Sequence, residues 1–279
     1  MTRIHGIEQV PMAENESSSD LLRQALRKLF ASPSPIEDRS KVRYLIYCHT
    51  IQTVAPYPIN LVNQIRREFE LVNAIPLSLT MQNCASSITA LDLADTLLSQ
   101  SDDPEDTIII LTGEKAFTPT VQLIPNTTIM GEASAACLVS RSQGRNQLRS
   151  VKQKTLGQFS NGVRLTPQVL REFDEAYVPT LSAVIQEAVS AADMTMEEID
   201  WILPHNINLS SWRKVSRFLE FPREKIFLEN VSKMGHCFCS DVFVNYESAY
   251  SKDLIKKGSK IVLVSVGLGA TFAAAVIEH

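Results

Sequence analysis

Cys84 stands where an extended apolar run gives way to a predicted helix. The apolar run covers residues 74–81, and apolar side chains recur at helical spacing over residues 88–98. The positive end of a helix dipole and its free backbone N–H groups favour the nucleophilic thiolate of a cysteine. Cysteine is also among the most frequently buried residue types, where it packs as a small apolar side chain. Position alone makes Cys84 a candidate nucleophile and leaves a packing role open.

Two histidines of the C-terminal half lie at similar boundaries. His205 ends a strand predicted over residues 199–205, and His236 lies in a turn before a helix predicted over residues 242–256. An imidazole can activate a thiol or move a proton near neutral pH. A single histidine after a strand is more often a loop residue with satisfied hydrogen bonds. The case for either histidine therefore depends on the fold bringing it to Cys84.

Both halves of the chain run through the same order of predicted elements. Each has a helix, a buried strand, a second helix, a further strand, a turn, another helix and a final apolar strand. In the C-terminal half, the strand before the turn that contains His236 is predicted at residues 225–231. Near-continuous Val, Ile and Leu runs that alternate with helices predict parallel strands covered on both faces. Ligands bind beyond the carboxyl ends of such strands, so two halves packed face to face bring Cys84, His205 and His236 toward one crevice.

The predicted organisation has three parts. An N-terminal half with Cys84 covers residues 1–145, and a C-terminal half with both histidines covers residues 167–279. Residues 146–166 between them are polar and are predicted to form a linking loop that borders the substrate tunnel.

Composition excludes several classes of function. The 279 residues are 44% hydrophobic and 21% charged, which is typical of a globular protein. A net charge of −4 gives no electrostatic basis for binding nucleic acid or an anionic membrane surface. No apolar stretch reaches the roughly 20 residues of a membrane span. Five scattered cysteines indicate reduced thiols in the cytoplasm, and the Cys237-x-Cys239 pair lacks the second ligand pair of a zinc site, so no metal is expected.

Four motifs together resemble those of the type III ketoacyl synthases of the thiolase-like superfamily. They occur in the family's order over nearly the whole chain, although each motif alone is weak. The motifs are Asn83-Cys84-Ala85-Ser86, Met130-Gly131-Glu132-Ala133-Ser134-Ala135-Ala136, Pro204-His205-Asn206-Ile207-Asn208 and Gly267-Leu268-Gly269-Ala270-Thr271. The resemblance implies an α/β fold of the thiolase-like kind, with two duplicated halves in a layered α-β-α-β-α core.

The resemblance also implies roles for single residues. Cys84 would be acylated by a thioester, and its backbone N–H with that of Gly269 would form an oxyanion hole. His205 would stabilise the thiolate or transfer a proton, and Asn208 would orient its loop. No permanently bound cofactor is implied, because acyl-CoA or a phosphopantetheinyl acyl carrier protein is the substrate. Family members form homodimers through the strand before the nucleophile, here residues 75–81.

His236 departs from the family, which usually has asparagine after the preceding glycine. The catalytic set becomes Cys84, His205 and His236. A second imidazole can donate a hydrogen bond to a thioester carbonyl, which the decarboxylation of a malonyl unit requires. It can also accept a proton from an alcohol or amine. The change therefore keeps C–C condensation open and adds O- or N-acylation.

A second departure concerns the N-terminus. Family members carry a further strand and helix before the segment that corresponds to residues 3–7, so a partner subunit could complete the site as a heteromer. We predict an acyltransferase or ketosynthase that loads an acyl group onto Cys84 and passes it to a malonyl carbanion, alcohol or amine. The expected context is fatty-acid-like or specialised metabolite biosynthesis. The alternative is an accessory subunit of a heteromeric ketosynthase, which the retention of Cys84 and His205 disfavours.

Overall fold

The fold is built on two four-stranded sheets, one from each half of the chain. The computed structural model describes residues 5–32, 36, 38–52, 55–142 and 144–279. The strands are β1 (Val42–Cys48), β2 (Ile75–Leu79), β3 (Thr107–Gly113), β4 (Leu123–Ile124), β5 (Thr128–Ile129), β6 (Ser134–Ser140), β7 (Gln147–Thr155), β8 (Trp201–Pro204), β9 (Lys260–Gly267) and β10 (Thr271–Glu278). The first sheet has the order β2-β1-β3-β6 and the second the order β7-β10-β9-β8, while β4 and β5 form a separate hairpin.

Helices separate and cover the two sheets. They are α1 (Ser18–Phe30), α2 (Leu61–Glu68), α3 (Ser86–Ser99), α4 (Pro119–Gln122), α5 (Pro167–Ala191), α6 (Leu209–Leu219), α7 (Glu229–Met234) and α8 (Asp241–Ser251). Local capping fixes several helix starts. Ser17 and Asp20 form a capping box at α1, and Asn208 caps α6 by accepting the backbone N–H of Ser211.

The alternation of side chains along β1 shows how the layers form. Ile46 and Cys48 pack into a central cluster with residues of α3, α8, β9 and β10, so α3 and α8 lie between the sheets. Leu45 and Tyr47 point the other way, into a cluster with α1 and α2. A third cluster joins α5 and α6 to the outer face of the second sheet. The order is α-β-α-β-α, so the predicted thiolase-like fold class is confirmed.

The two halves share their sheet connectivity. In the first sheet β1 pairs in parallel with β2 and β3, and β3 pairs antiparallel with β6. In the second sheet β8 pairs in parallel with β9, and β9 pairs antiparallel with β10. The counterpart of β2 is reduced to a single bridge between Ile202 and Ile226. The strand predicted at residues 225–231 is therefore wrong beyond that bridge, since α7 begins at Glu229.

Residues 146–166 differ from the predicted loop. Their first part is β7, a nine-residue strand that pairs antiparallel with β10 from Thr155 to Gln147. Only the remainder, with short 3₁₀ turns at Gly157–Phe159 and Gly162–Arg164, is irregular. β7 is polar because it lies at the edge of the sheet and turns one face to solvent, and that polarity conceals it in the sequence.

β2 also differs from expectation, because it was predicted to be buried. It is an edge strand with β1 as its partner, and Ile75 is 48% exposed.

In the part of the chain that the structure describes, no helix is long and apolar enough to cross a membrane.

Candidate active site

Cys84 lies in a short turn between β2 and α3. The turn, residues 82–85 and here called the nucleophile turn, contains a 3₁₀ helix at Asn83–Ala85 and leads directly into α3. Two hydrogen bonds fasten it to the second sheet. The Ser265 hydroxyl of β9 donates to the Cys84 carbonyl oxygen over 2.9 Å, and the Asn83 side-chain amide donates to the Leu268 carbonyl oxygen. The second half of the chain thus holds the cysteine of the first.

His236 contacts the Cys84 thiol. Its Nε2 lies 3.1 Å from Cys84 Sγ, and its Nδ1 lies 2.5 Å from Asp241 Oδ2. The three side chains are enclosed: Cys84 is 5% exposed, His236 4% and Asp241 1%. The geometry is a linear set of thiol, imidazole and carboxylate, the arrangement that activates cysteine nucleophiles.

Asp241 is saturated with hydrogen-bond donors. Besides His236, its oxygens accept the backbone N–H of Asn206 at 2.6 Å, the backbone N–H of Cys237 at 2.7 Å and the Asn206 side-chain amide at 3.2 Å. An ionised carboxylate is an acceptor only, so it matches four donors. Asp241 begins α8, and its contacts fix the His236 turn to the loop after β8.

The charges around His236 determine its protonation. Burial alone lowers the pKa of His236, but the negative charges of Cys84 and Asp241 outweigh burial and hold the pKa well above its usual range. At neutral pH His236 is therefore held as an imidazolium, and its Nε2 lies 3.1 Å from Cys84 Sγ. A neighbouring imidazolium favours the thiolate, which is the nucleophilic form of a cysteine.

His205 lies beside His236 but takes a different partner. Its Nε2 is 3.1 Å from the Tyr177 hydroxyl, and its ring centroid is 5.8 Å from that of His236. No described residue offers a hydrogen-bond partner to its Nδ1. Burial, reinforced by the cationic His236, lowers the pKa of His205 well below its usual range. His205 is therefore neutral, and the imidazole bonded to Cys84 is that of His236.

Gly269 and Asn208 both lie in loops that support the site. Gly269 is in the turn between β9 and β10, with φ +114°, and the preceding Leu268 carbonyl accepts the Asn83 amide. Asn208 caps α6, and its side-chain amide donates to the Thr127 carbonyl oxygen over 3.0 Å. The structure thus places Gly269 against the nucleophile turn and Asn208 at the base of the His205 loop.

Four residues of the site were not predicted from the sequence: Asp241, Tyr177, Thr50 and Glu114. The Thr50 hydroxyl lies 3.5 Å from Cys84 Sγ. The buried Glu114 carboxylate accepts the backbone N–H groups of Thr50 and Ile51, each at 2.7 Å. Burial raises the pKa of Glu114 to about 7. One signal was available, because Glu114 directly follows the buried strand β3, at the sheet edge where the site forms.

Comparison with known proteins gives consistent matches. The sequence profile described as 3-oxoacyl-[acyl-carrier-protein (ACP)] synthase III C terminal matches residues 189–279. The chain is 22% identical to beta-ketoacyl-[acyl-carrier-protein] synthase III of Aquifex aeolicus (strain VF5), over 98% of this chain and 88% of that protein. It is 31% identical over 101 residues to the enzyme of the same name from Caldanaerobacter subterraneus, which covers 36% of this chain and 30% of that protein.

Solved structures match over the whole fold. The acyltransferase ChlB3 superimposes with a TM-score of 0.89 at 16% identity, over 99% of this chain and 88% of that one. The Aquifex aeolicus VF5 synthase III gives a TM-score of 0.83 at 17% identity, over 100% and 90%. OleA from Xanthomonas campestris, with bound lauric acid and lauroyl-CoA, gives 0.85 at 15% identity, over 100% and 88%.

The two packed sheets and the cysteine at a strand-to-helix turn define a thiolase-like fold. The sequence matches agree with this fold: the chain is similar to ketoacyl synthase III, an enzyme of the acyltransferase class.

Proposed function

We propose that the protein accepts an acyl group from a thioester onto Cys84 and passes it to a second substrate. The observation that carries the proposal is the 3.1 Å contact between Cys84 Sγ and His236 Nε2, with Asp241 on the other side of the imidazole. A buried thiolate–imidazolium pair is equipped to attack a thioester carbonyl and to protonate the leaving thiol.

The first half-reaction follows from this pair. The Cys84 thiolate attacks the thioester carbonyl and forms a C–S bond. The carbonyl oxygen becomes an oxyanion, which the backbone N–H groups of Cys84 and Gly269 would receive. When the tetrahedral intermediate collapses, the bond to the donor sulfur breaks and His236 gives that sulfur its proton. The products are acyl-Cys84, a free thiol and neutral His236.

The donor in this proposal is acyl-CoA or an acyl group on a phosphopantetheinyl carrier protein. The sequence relatives are named for the acyl carrier protein, and the OleA structure contains lauroyl-CoA. The acceptor classes are a malonyl-type carbanion, an alcohol or an amine. A biosynthetic role in fatty-acid-like or specialised metabolism is the matching context.

Acyl loading can be measured directly. The purified protein is incubated with a panel of acyl-CoA and acyl-carrier donors, and its intact mass is recorded. We expect one acyl group on the wild-type chain and none on Cys84→Ala. Absence of an adduct with every donor, or an adduct that persists in Cys84→Ala, would overturn the proposal. Cys137→Ala is a matched control, because Cys137 is a free cysteine of β6 whose thiol donates to the Leu138 carbonyl oxygen rather than to the nucleophile turn, so this change should not affect loading.

An accessory role without catalysis has less support. The Cys84 thiol retains an imidazole partner, and that imidazole retains a carboxylate with four donors. A non-catalytic subunit has no use for this set. Activity of a purified complex that survives Cys84→Ala would favour the accessory role instead.

A further inference from the structure

We propose that the acceptor is a neutral hydroxyl or amino group, that His236 takes its proton, and that Asp241 positions His236 for this step. The inference rests on the proposed acylation of Cys84 and specifies the second half-reaction, in which the acyl group leaves Cys84. Its basis is the direction of the hydrogen bonds around His236.

Asp241 determines which nitrogen of His236 carries hydrogen. The carboxylate has no proton to give, so the 2.5 Å contact requires an N–H at His236 Nδ1. The other donors to Asp241, two backbone N–H groups and the Asn206 amide, keep that carboxylate in place. Once His236 has given its second proton to the leaving thiol, its Nε2 presents a lone pair toward Cys84. At that stage His236 is a base and cannot donate from Nε2.

The change of charge on acylation makes that base effective. Cys84 loses its negative charge when it forms the thioester, so one of the two charges that favour protonated His236 disappears. Asp241 keeps its charge and continues to favour the protonation of the imidazole. Neutral His236 in the acyl-enzyme therefore lies between a carboxylate and the acyl group, ready to accept a proton.

A hydroxyl or amine completes the cycle without an external proton. The acceptor oxygen or nitrogen attacks the acyl carbonyl while its proton moves to His236 Nε2. A C–O or C–N bond forms, and the bond from the carbonyl carbon to Cys84 Sγ breaks. Cys84 leaves as a thiolate beside an imidazolium. This is the starting ion pair, and the two half-reactions together neither consume nor release a proton.

A malonyl carbanion does not fit the same arrangement. It forms by loss of CO₂ and needs an N–H donor at the thioester oxygen, whereas His236 Nε2 then carries a lone pair. It brings no proton, so Cys84 would be released as a thiolate beside neutral His236, in a site where both residues are at most 5% exposed. His205 does not supply the missing N–H donor to the thioester oxygen, because its Nε2 is paired with the Tyr177 hydroxyl.

The test begins from acyl-Cys84 freed of excess donor and verified by intact mass. The acyl-enzyme is divided among hexanol, hexylamine, malonyl-CoA and buffer, and products and remaining adduct are followed by mass spectrometry. We expect ester or amide to form at least ~10-fold faster than β-keto product, consistent with general base catalysis. Faster malonyl condensation, or release only as free acid, would overturn the inference. Failure to form the adduct would instead count against the proposed function.

Two variants separate a positioning role from a structural one. Asp241→Asn should lower the rate of ester or amide formation by roughly 10²–10⁴-fold, as expected when a triad carboxylate is lost. The rate of transfer to hexylamine or hexanol should rise through the pKa of His236 in the wild-type acyl-enzyme. The titratable groups that interact with the His236 imidazole are Cys84, Asp241, His205 and Glu114. Because Asp241 raises the pKa of His236, the rise should move to lower pH in Asp241→Asn; an unmoved profile contradicts the role.

His236→Asn is the second variant, and it remains informative if Asp241→Asn does not fold. An amide side chain can donate toward the thioester oxygen but cannot act as a base near neutral pH. We expect this variant to lose transfer to hexanol and hexylamine and to gain relative activity with malonyl-CoA. Transfer to hexanol at the wild-type rate would contradict the assignment of His236 as the base.

Discussion

Two neighbouring histidines in this site differ in protonation, since His236 is held protonated and His205 is held neutral. The rings of His205 and His236 are 5.8 Å apart in a buried region, where two like charges repel strongly. Asp241 and Cys84 decide which ring is protonated, because both contact His236. His205 has Tyr177 as its partner and stays neutral. The hydrogen-bond partners of each imidazole therefore decide which histidine is protonated.

Alkylation of Cys84 distinguishes the two histidines. At pH 6 iodoacetamide should modify wild-type Cys84 readily, because the imidazolium of His236 lies 3.1 Å from its sulfur and such a neighbour favours the reactive form of a cysteine. We expect His236→Ala to lower the rate about 10-fold or more, and His205→Asn to change it by less than about threefold. The measurement is the rate of mass gain at the peptide that contains Cys84. An equal or larger loss in His205→Asn would assign the thiol to His205.

Glu114 gives a prediction for stability. Burial raises its pKa to about 7, so the folded protein holds a proton that the unfolded chain has lost above about pH 4.5. The free energy of unfolding should therefore fall as pH rises from 5 to 8, and Glu114 should contribute about 2 to 3 kcal/mol of that fall. In Glu114→Gln this contribution disappears.

Urea denaturation at pH 5 and pH 8 measures the effect as a difference between wild type and variant. Glu105→Gln is the matched control, because Glu105 is exposed and precedes β3, whereas Glu114 is buried and follows it. It should leave the pH dependence as in wild type. If Glu114→Gln shows the same fall with pH as wild type, the buried carboxylate is not the group that titrates.

At the scale of elements, the end of β9 and the nucleophile turn approach too closely for any side chain. A Cβ on Gly267 would lie 1.8 Å from the backbone oxygen of Gln82. Gly267→Ala must therefore displace one of the two elements. We expect a loss of about 3 kcal/mol in the free energy of unfolding and slower acyl loading of Cys84. Urea denaturation and intact-mass loading measure the two effects.

Gly157→Ala is the control for this substitution. A Cβ on Gly157 would meet nothing within 4 Å. The change should alter stability by no more than about 0.5 kcal/mol and leave loading unaffected. Wild-type stability and loading in Gly267→Ala would mean that the turn and the strand are not in the close contact described.

Apolar runs predicted most of the strands, whereas the polar edge strand β7 was missed. The strands β1, β3, β9 and β10 follow from runs that are rich in apolar residues. β7 was missed because an edge strand with one solvent face reads as a polar loop. Residues 225–231 have the apolar content of a strand, yet only Ile226 pairs before α7 begins.

The site was predictable only in part for a related reason. Cys84, His205 and His236 follow from motifs at strand ends. Asp241 and Tyr177 depend on contacts that the local sequence does not contain. Tyr177 reaches His205 across 28 positions, and Asp241 collects donors from the loop after β8 as well as from its own turn. These contacts decide that His236, and not His205, pairs with the Cys84 thiol.

At the scale of the whole molecule, the candidate active site combines residues of both halves, so it requires both halves to be folded and packed together. Cys84 comes from the first half, and His236, Asp241 and His205 come from the second. Ser265 and Leu268 join the halves through the nucleophile turn itself. The contact between Cys84 and His236 is therefore also a contact between the halves. Under the proposed function, variants that weaken the packing of the halves should lose activity before they unfold.

β2 leaves one edge of the first sheet without a neighbour among the described strands. Its sequence, Ile75-Pro76-Leu77-Ser78-Leu79, carries no charge, and Ile75 is 48% exposed. Met81, just beyond the strand, is 71% exposed. Exposed strand edges are usually protected by charged residues or by a partner. An uncharged, apolar edge favours a partner, and a second copy of this chain paired edge to edge across a two-fold axis would supply it.

Light scattering tests this dimer. We expect wild type to show about twice the 31.1 kDa chain mass, because pairing of the two β2 edges buries Ile75 and Met81 and satisfies their backbone groups. Ile75→Lys with Met81→Lys should shift the mass toward one chain by placing like charges across the axis. Phe218→Lys is the matched control, since Phe218 is a comparably exposed apolar residue on α6, and it should leave the dimer intact. A monomeric wild type, or a double variant that stays dimeric, would place the interface elsewhere or exclude it.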